Sequence, residues 1–342
     1  MVTSKDVSTV AGVSRATVSH VINNSGYVSP ELIRRVEAAI EQLNYRPHAI
    51  ARSLAARKTF TVGVVVARLS SAFYPPLLSA LESTLTKRGY TIVLCDSHED
   101  AANEQRNLSV VAERRVDGII WVPCSDNNVQ FVRELAESGT AIVVVDRRIA
   151  GDEFDTVASA NENGGYIATK YLLDQSYRRI AIVTFSQTQA SARERCDGYR
   201  RALGEAGVEI EDDLVCVVDD RDPNYSTDTN SAVERTVSLL RSKLRPQAIF
   251  ACSDLLTLSV LEGTRRVGLR IPKDLAVLGF DHSPWTAFID PPLSVVIQQT
   301  REMGAEAAGV LLRVLKRKGT RPRSPLLKLL PTRLIQRKSC GE

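Results

Sequence analysis

The stretch AGVSRATVSHVINN, residues 11–24, combines basic, small and polar side chains with the spacing of a helix. Val18, Val21 and Ile22 recur at helical spacing and predict a buried face. The opposite face then carries Arg15, Ala16, Thr17, Ser19 and His20. Arginine can pair with guanine in the major groove, and a small methyl group can contact thymine. This face therefore predicts direct base contacts, although an ordinary solvated helix face would have the same composition.

A second group of residues in and around this helix suits phosphate contacts, which fix the register of a protein on DNA. It comprises Ser14, Thr17, Ser19, Asn23 and Tyr27. The charge distribution favours the same anionic partner. Residues 1–58 contain eight Lys and Arg against four Asp and Glu, whereas the whole chain has 44 against 40, a formal net charge of +4. All of the excess positive charge therefore lies in the first sixth of the chain.

Three short helices must position these residues. SKDVSTVA, residues 4–11, predicts the first helix, Gly12 supplies a turn, and Ser14 caps a second helix that starts near Arg15. Ser29 and Pro30 predict the start of a third helix. The first two helices, joined by a three-residue turn, make a helix-turn-helix. The expected shared core consists of Val7, Val10, Val18, Ile22, Ile33, Val36 and Ile40.

The segment HAIARSLAAR, residues 48–57, predicts one more short helix, whose apolar face is too small to build a core. A free helix of this length is marginally stable in water, but DNA could order it. Leu54 would then act as an apolar wedge in the minor groove, with nearby Arg and Lys side chains at the phosphates. A flexible linker between domains would have the same composition, so both interpretations stay open from composition alone.

From Thr61 onward, short β-branched runs such as TVGVVVA alternate with amphipathic helical stretches, and the rhythm begins again after Asn161. This alternation is typical of βαβ units around a parallel sheet. The sequence therefore predicts an α/β fold with two similar doubly wound subdomains. Such a pair binds ligands in the crevice at the carboxyl ends of its strands.

Polar and aromatic residues follow the predicted strands at those ends. They are Phe73, Tyr74, Asp146, Arg147, Arg195, Ser253, Asp281 and Gln298. Carboxylates, arginines and amides can bond the hydroxyl groups of a ligand, and an aromatic ring can cover its apolar face. Each residue taken singly is also explained as a strand end or a helix cap. Their recurrence at strand termini favours a small-molecule site.

Other classes of protein lack support in the sequence. It has no phosphate-binding G-x-x-x-x-G-K-[ST] motif, no G-x-S-x-G elbow and no histidine spacing typical of a metal site, so we expect no enzyme activity, no cofactor and no metal. The six cysteines form no C-x-x-C pair and are interpreted as small buried hydrophobic residues. We also expect a cytoplasmic protein, because neither a signal peptide nor a membrane-spanning run is present.

Residues 3–59, TSKDVSTVAGVSRATVSHVINNSGYVSPELIRRVEAAIEQLNYRPHAIARSLAARKT, resemble the DNA-binding headpiece and hinge helix of the lactose/galactose repressor (LacI/GalR) family of bacterial transcription regulators. The resemblance continues to the C-terminus. It implies that Arg15, Ala16 and His20 read bases in each half of a palindromic operator, and that Leu54 inserts at the operator centre. His20 stands where arginine is usual, and His48 stands where asparagine usually begins the hinge helix.

The resemblance also implies a division of the chain. We expect a headpiece at residues 1–46, a hinge helix at 47–59 and an effector-binding core at 60–342, similar to periplasmic sugar-binding proteins. Its N-subdomain would comprise about residues 60–160 and 297–323, and its C-subdomain about 161–296 and 324–338. Without a long heptad-bearing tail, a homodimer is expected.

The implied function is a repressor-type regulator, nucleoid-associated when bound to DNA, whose affinity for its operator is controlled by a sugar or related metabolite. Asp146, Arg195, Asp281 and Gln298 are the principal effector contacts by this resemblance, whereas Ser253 stands where asparagine is common. Purine effectors also occur in the family. The alternative is a sugar-binding or transport component with no role on DNA.

Overall fold

The computed structural model describes residues 2–22, 26–45, 58–218, 231–316 and 324–341. The chain forms two compact units that separate after Phe60. The predicted hinge helix at 47–59 lies outside the described residues except for its last two positions.

The smaller unit consists of helices α1 (Ser4–Ala11), α2 (Arg15–Ile22) and α3 (Pro30–Gln42). Local chemistry fixes where each helix begins and ends. The Thr3 side chain and the Asp6 carboxylate cap the start of α1 reciprocally, and Gly12 ends α1 in the left-handed conformation with φ of +61°. The Ser29 hydroxyl accepts a hydrogen bond from the Leu32 N–H at 3.4 Å and caps α3, as predicted.

These helices share a small core. It contains Val7, Ala11, Val18, Val36, Ala39 and Tyr45. The prediction that Val10 belongs to this core is wrong, because its side chain is 46% exposed. Val7 and Ala11 are one helical turn apart and define the inward face of α1, so Val10 lies beside that face. Tyr45 adds an aromatic ring to the core beyond the end of α3.

The larger unit contains two six-stranded sheets, as the alternating pattern predicts. The first sheet has the spatial order β11 (Leu327–Leu330), β5 (Asp155–Ser159), β4 (Ala141–Asp146), β3 (Gly118–Trp121), β1 (Thr61–Val66) and β2 (Thr91–Asp96). All of its strand pairs are parallel. The helices of this subdomain are α4 (Tyr74–Thr86), α5 (Ala101–Glu113), α6 (Val129–Glu137) and α11 (Thr300–Lys316).

The second sheet has the same plan with one antiparallel edge. Its order is β12 (Arg333–Ile335), β10 (Ser294–Ile297), β9 (Ala276–Phe280), β8 (Ala248–Ala251), β6 (Ile180–Phe185) and β7 (Val215–Val218). Only β12 runs antiparallel to its neighbour among the described strands. The helices of this subdomain are α7 (Asn161–Asp174), α8 (Ala190–Glu205), α9 (Ser231–Arg241) and α10 (Asp254–Val267).

The chain crosses between the subdomains after β5, after β10 and between β11 and β12. The last crossing differs from the expected boundary, which assigned residues 324–338 to the second subdomain. Strand β11 pairs in parallel with β5 of the first sheet, and the Leu326 N–H donates to the Asp155 carboxylate at 2.8 Å. This strand covers an edge of β5 that would otherwise present unpaired backbone groups.

Both sheets consist of apolar strands, and helices pack against them. Strands β3, β4 and β8 are buried along their whole length, which is typical of parallel strands covered on both faces. Within the described part of the chain, no helix is long and apolar enough to cross a lipid bilayer. The carboxyl ends of the two sheets hold the residues considered next.

Candidate functional site

Helix α2 of the smaller unit has the two faces that the sequence predicts. Val18 is fully buried, whereas Arg15, Ala16, Ser19 and His20 are exposed. Ser14 and Thr17 take part in the cap of this helix, since the Ser14 hydroxyl accepts a hydrogen bond from the Thr17 N–H at 3.1 Å. Tyr27 is 94% exposed. Asn23 and Leu54 lie outside the described residues.

In the larger unit, all eight residues predicted to bind an effector line one cleft between the two subdomains. The cleft contains about 530 Å³ of empty space, including its open mouth. Asp146 is the last residue of β4, and Asp281 directly follows β9. Both have left-handed backbones, with φ of +68° and +73°. The strand ends therefore deliver one carboxyl group from each sheet.

Two aromatic residues form one wall of the cleft. The rings of Phe73 and Tyr74 meet edge to face, with centroids 5.1 Å apart, where the loop after β1 enters α4. Each residue is at most 5% exposed. Burial also raises the pKa of the Tyr74 hydroxyl well above its usual range. This wall therefore offers an apolar surface to a bound molecule.

Asp281 lies in a site that disfavours its charge. It is 7% exposed and accepts a hydrogen bond from Gln298 Nε2 at 2.6 Å. Burial raises the pKa of Asp281 to about 7; the Arg195 charge and the Gln298 hydrogen bond oppose the rise, whereas Asp254 adds to it. The Asp281 carboxyl group is therefore poised to change its protonation state near neutral pH.

Arg147 is held by Glu99, a residue that is not among the predicted contacts. Its guanidinium donates to both carboxylate oxygens of Glu99, each at 2.7 Å, so it is engaged in a bidentate ion pair. Burial raises the pKa of the neighbouring Asp146, and the positive charges of Arg147 and Arg195 oppose that rise. Glu99 lies three residues after the end of β2, so its position after a strand is a signal that could have identified it from the sequence.

Several buried polar atoms of the cleft have no hydrogen-bond partner within the described part of the chain. They are Asp146 Oδ1, Arg147 Nε and Gln298 Oε1. Two of these atoms are acceptors and one is a donor. Buried polar groups in proteins are nearly always paired, so this set is suited to the hydroxyl groups of a ligand.

Arg195 lies on α8 and connects three parts of the second subdomain. Its Nε donates to Asn161 Oδ1 at 2.9 Å, and its Nη1 donates to the carbonyl oxygen of Cys252 at 2.6 Å. The side chain is therefore held in one position at the cleft wall. Arg193, the second arginine in this segment, is exposed and donates instead to the Gln187 carbonyl oxygen.

Ser253 and Asp254 occupy the start of α10. The Ser253 hydroxyl accepts a hydrogen bond from the Leu256 N–H at 3.2 Å, so it serves as the helix cap even though it lines the cleft. Asp254 accepts hydrogen bonds from Ser71 and Ala72 of the other subdomain. Neither Ser71 nor Asp254 is among the predicted contacts. Asp254 lies beside Ser253 at a strand end that the sequence indicates, whereas Ser71 has no such signal.

Comparisons with known protein families find a match for each of the two units. Residues 3–48 match the model of bacterial regulatory proteins of the lacI family, and residues 169–340 match a periplasmic binding protein-like domain. The chain is 34% identical over 320 residues to the HTH-type transcriptional repressor PurR of Aliivibrio salmonicida (strain LFI1238), covering 93% of each protein. It is 35% identical over 314 residues to the Ribose operon repressor of Escherichia coli (strain K12), covering 91% of this chain and 92% of that protein.

Solved structures agree with this placement. The transcriptional regulator CelR in complex with cellobiose superposes with a TM-score of 0.72 at 32% identity, over 99% of this chain and 100% of that one. The Lac repressor dimer bound to operator and the anti-inducer ONPF gives a TM-score of 0.84 at 24% identity, over 100% and 99%, and supports the fold. The predicted fold class is confirmed. The relatives are transcriptional repressors, so the prediction of a regulator rather than an enzyme is confirmed as well.

Proposed function

Because the chain belongs to the lacI family of bacterial regulatory proteins, we propose that the cleft between its two subdomains binds the small molecule that controls its affinity for DNA. Repressors of this family bind operator DNA and effectors such as sugars or purines, and act as dimers. The observation that carries the proposal is the set of buried cleft atoms without a hydrogen-bond partner among the described residues, Asp146 Oδ1, Arg147 Nε and Gln298 Oε1.

The chemistry of the cleft favours a polyhydroxylated ligand. A hydroxyl group donates and accepts at once, so a sugar ring can satisfy the acceptors of Asp146 and Gln298 while it also accepts from Arg147 or Arg195. The rings of Phe73 and Tyr74 would cover an apolar face of the sugar.

The balance of charge argues for a neutral ligand. Four acidic and three basic side chains line the cleft: Glu99, Asp146, Asp254, Asp281, Arg68, Arg147 and Arg195. Arg147 is already paired with Glu99. A phosphate or carboxylate on the ligand would lie close to Asp146 and Asp281, and each of these carboxyl groups would repel it when ionised. We therefore assign the effector to the neutral sugars rather than the sugar acids or sugar phosphates.

The DNA side of the proposal uses the exposed face of α2. In this proposal the bases are contacted by Arg15, Ala16 and His20. The phosphates are contacted by Ser14, Thr17, Ser19, Asn23 and Tyr27. Leu54 stays a sequence-based prediction for the operator centre. A homodimer matches a palindromic operator, because both have two-fold symmetry. Effector and operator are linked thermodynamically, so each changes the affinity of the other by the same factor. We infer that the protein acts in the cytoplasm, where the DNA lies.

A thermal-shift screen tests the effector class. The panel pairs D-ribose with ribose 5-phosphate and D-glucose with D-gluconate, and adds adenine as a purine. We expect a neutral sugar to raise the midpoint of unfolding, with little effect from its charged partner. The shift should disappear in Asp281→Ala and Arg195→Ala and persist in Arg193→Ala. Stabilisation by adenine alone, or a sugar effect that survives both cleft variants, contradicts the proposal.

DNA binding separates a regulator from a sugar-binding or transport component. Fluorescence anisotropy with fragments from upstream of its own locus should show specific binding that weakens steeply with salt, as phosphate contacts release counterions. The hit from the thermal screen should change this affinity, whereas a neutral sugar without a thermal shift should not. Absence of binding to any duplex at low ionic strength would leave only the transport-type role.

A further inference from the structure

The two walls of the cleft are tied together by direct hydrogen bonds at one buried carboxylate. Ser71 Oγ, in the loop after β1, lies 3.1 and 3.2 Å from the two carboxylate oxygens of Asp254, the first residue of α10. The Ala72 N–H donates to Asp254 Oδ2 at 2.7 Å. Ser71 is 9% exposed and Asp254 is 6% exposed. A hydroxyl and an amide of the first subdomain thus converge on one carboxylate of the second.

This contact holds the segment that carries the aromatic wall. Ser71 Oγ donates to Asp254 and accepts from the Phe73 N–H at 3.2 Å, so the carboxylate, the hydroxyl and the amide form a continuous chain. Phe73 and Tyr74 follow immediately. The position of both rings relative to the second subdomain therefore depends on the hydrogen bonds to Asp254.

Two other described contacts across the cleft are weaker. Gln189 Nε2 lies 3.4 Å from Glu99 Oε2, which is long for a hydrogen bond. Arg148 and Glu194 form an ion pair at 3.4 Å, and the Arg148 side chain is 34% exposed, so solvent screens it. Asp254 combines burial, charge and two donors, the combination that gives the strongest hydrogen bonds.

We propose that Asp254 is a positioning residue that closes the cleft through Ser71 and Ala72, independently of any bound molecule. The importance of this contact for regulation rests on the proposed function, because it assumes that the cleft is the effector site. When hydrogen bonds between protein groups already favour the closed cleft, a ligand has to supply less binding free energy to close it. Loss of the contact shifts the population towards an open cleft and weakens effector binding in proportion to the loss of the closed population.

Hydrogen exchange of the full-length protein without ligand tests the contact. Ser71→Ala removes the hydroxyl and leaves α10 intact, whereas Asp254→Ala removes the shared acceptor. If the cleft opens, exchange rises by about tenfold, the effect of losing one strong hydrogen bond. The rise must occur both in residues 71–74 and in residues 189–195 of the facing wall. The double variant should exchange no faster than Asp254→Ala alone, since both changes break one contact.

Ser97→Ala is the matched control. Ser97 is a fully buried serine of the first subdomain whose Oγ has no hydrogen-bond partner within the described residues. Its loss should leave exchange in both segments unchanged. An increase confined to residues 71–74 means local loss of a bond without opening and overturns the proposal, as does no change at all. Failure of every sugar in the thermal screen would instead reject the effector assignment and leave this measurement valid.

Discussion

The guanidinium carbon of Arg195 lies 3.8 Å from the centre of the Phe280 ring. Phe280 ends β9 and directly precedes Asp281, so the strand that delivers the carboxyl group also supplies the surface on which the arginine rests. The Arg195 charge in turn opposes the burial effect on the pKa of Asp281. A cation over an aromatic face is attracted by the ring electrons, and the contact strengthens when water is excluded. Arg195 thus links the core of the second subdomain to the cleft.

Replacing Arg195 by Ala should destabilise the protein as well as remove a cleft residue. The change leaves the buried Asn161 Oδ1 and Cys252 carbonyl oxygen without this donor and removes the contact with Phe280. We expect the free energy of unfolding to fall by about 3 kcal/mol, the usual cost of stranding buried polar partners. Urea denaturation measures it. The exposed Arg193→Ala should change the value by less than about 0.5 kcal/mol, and an equal loss in both variants would contradict this role.

The sequence predicted the cleft well because strand ends are readable from local patterns. Asp146, Asp281 and Gln298 each follow a buried β-branched run, and parallel strands bring their carboxyl ends to one edge. The partners of the cleft side chains could not be predicted from the sequence. The pairing of Arg147 with Glu99 joins residues 48 apart in sequence, and that of Ser71 with Asp254 joins residues 183 apart. No local pattern encodes such distances.

The inward face of a helix and the sheet edge that a strand joins were also hard to predict from the sequence. Helical spacing alone placed both Val7 and Val10 in the headpiece core, but only the packing of three helices decides which of them points inward. Strand β11 is short and half-exposed, so its sequence carries no strong periodic signal. Its place in the first sheet depends on the available edge of β5, which the chain reaches from the other subdomain.

Two glycines of α8 should respond oppositely to alanine. A Cβ at Gly198 would overlap the Glu162 carbonyl oxygen of the facing helix α7, whereas nothing lies within 4 Å of a Cβ at Gly204. Gly198→Ala should therefore lower the free energy of unfolding by about 3 kcal/mol, because backbone cannot move aside as a flexible side chain can. Gly204→Ala should raise it by about 0.5–1 kcal/mol through helix propensity. Equal unfolding midpoints for the two variants would show that α7 and α8 are not in close contact.

Asp281 should make stability fall as the pH rises. Its pKa is raised to about 7 from 3.8, so between these values the folded protein retains a proton that the unfolded chain has released. The favourable contribution is present below pH 3.8 and is lost as the pH approaches 7. Relative to Asp281→Asn, the wild type should lose on the order of 2 kcal/mol between pH 5 and pH 7.5, at about 1.4 kcal/mol per pKa unit.

Asp274→Asn is the control for this titration. Hydrogen bonds from Arg270 lower the pKa of Asp274 to about 2, so its contribution is present above pH 3.8 and is lost only below that value. Between pH 5 and pH 7.5 the stability of Asp274→Asn should run parallel to that of the wild type in urea denaturation. A parallel course for Asp281→Asn as well would mean that Asp281 is ionised throughout this range.

Arg15 should contribute to specific DNA binding more than to general attraction. It is exposed at the start of α2, whereas Val18 of the same helix is fully buried. A bidentate pair with guanine is worth about 1–3 kcal/mol of discrimination, so Arg15→Ala should weaken binding to the specific fragment by roughly tenfold or more and change binding to random duplex far less. Arg88→Ala removes the same charge from an exposed position in the larger unit and should alter neither affinity. Anisotropy titrations at several salt concentrations compare the variants. Equal losses on specific and random DNA would reassign Arg15 from bases to phosphates.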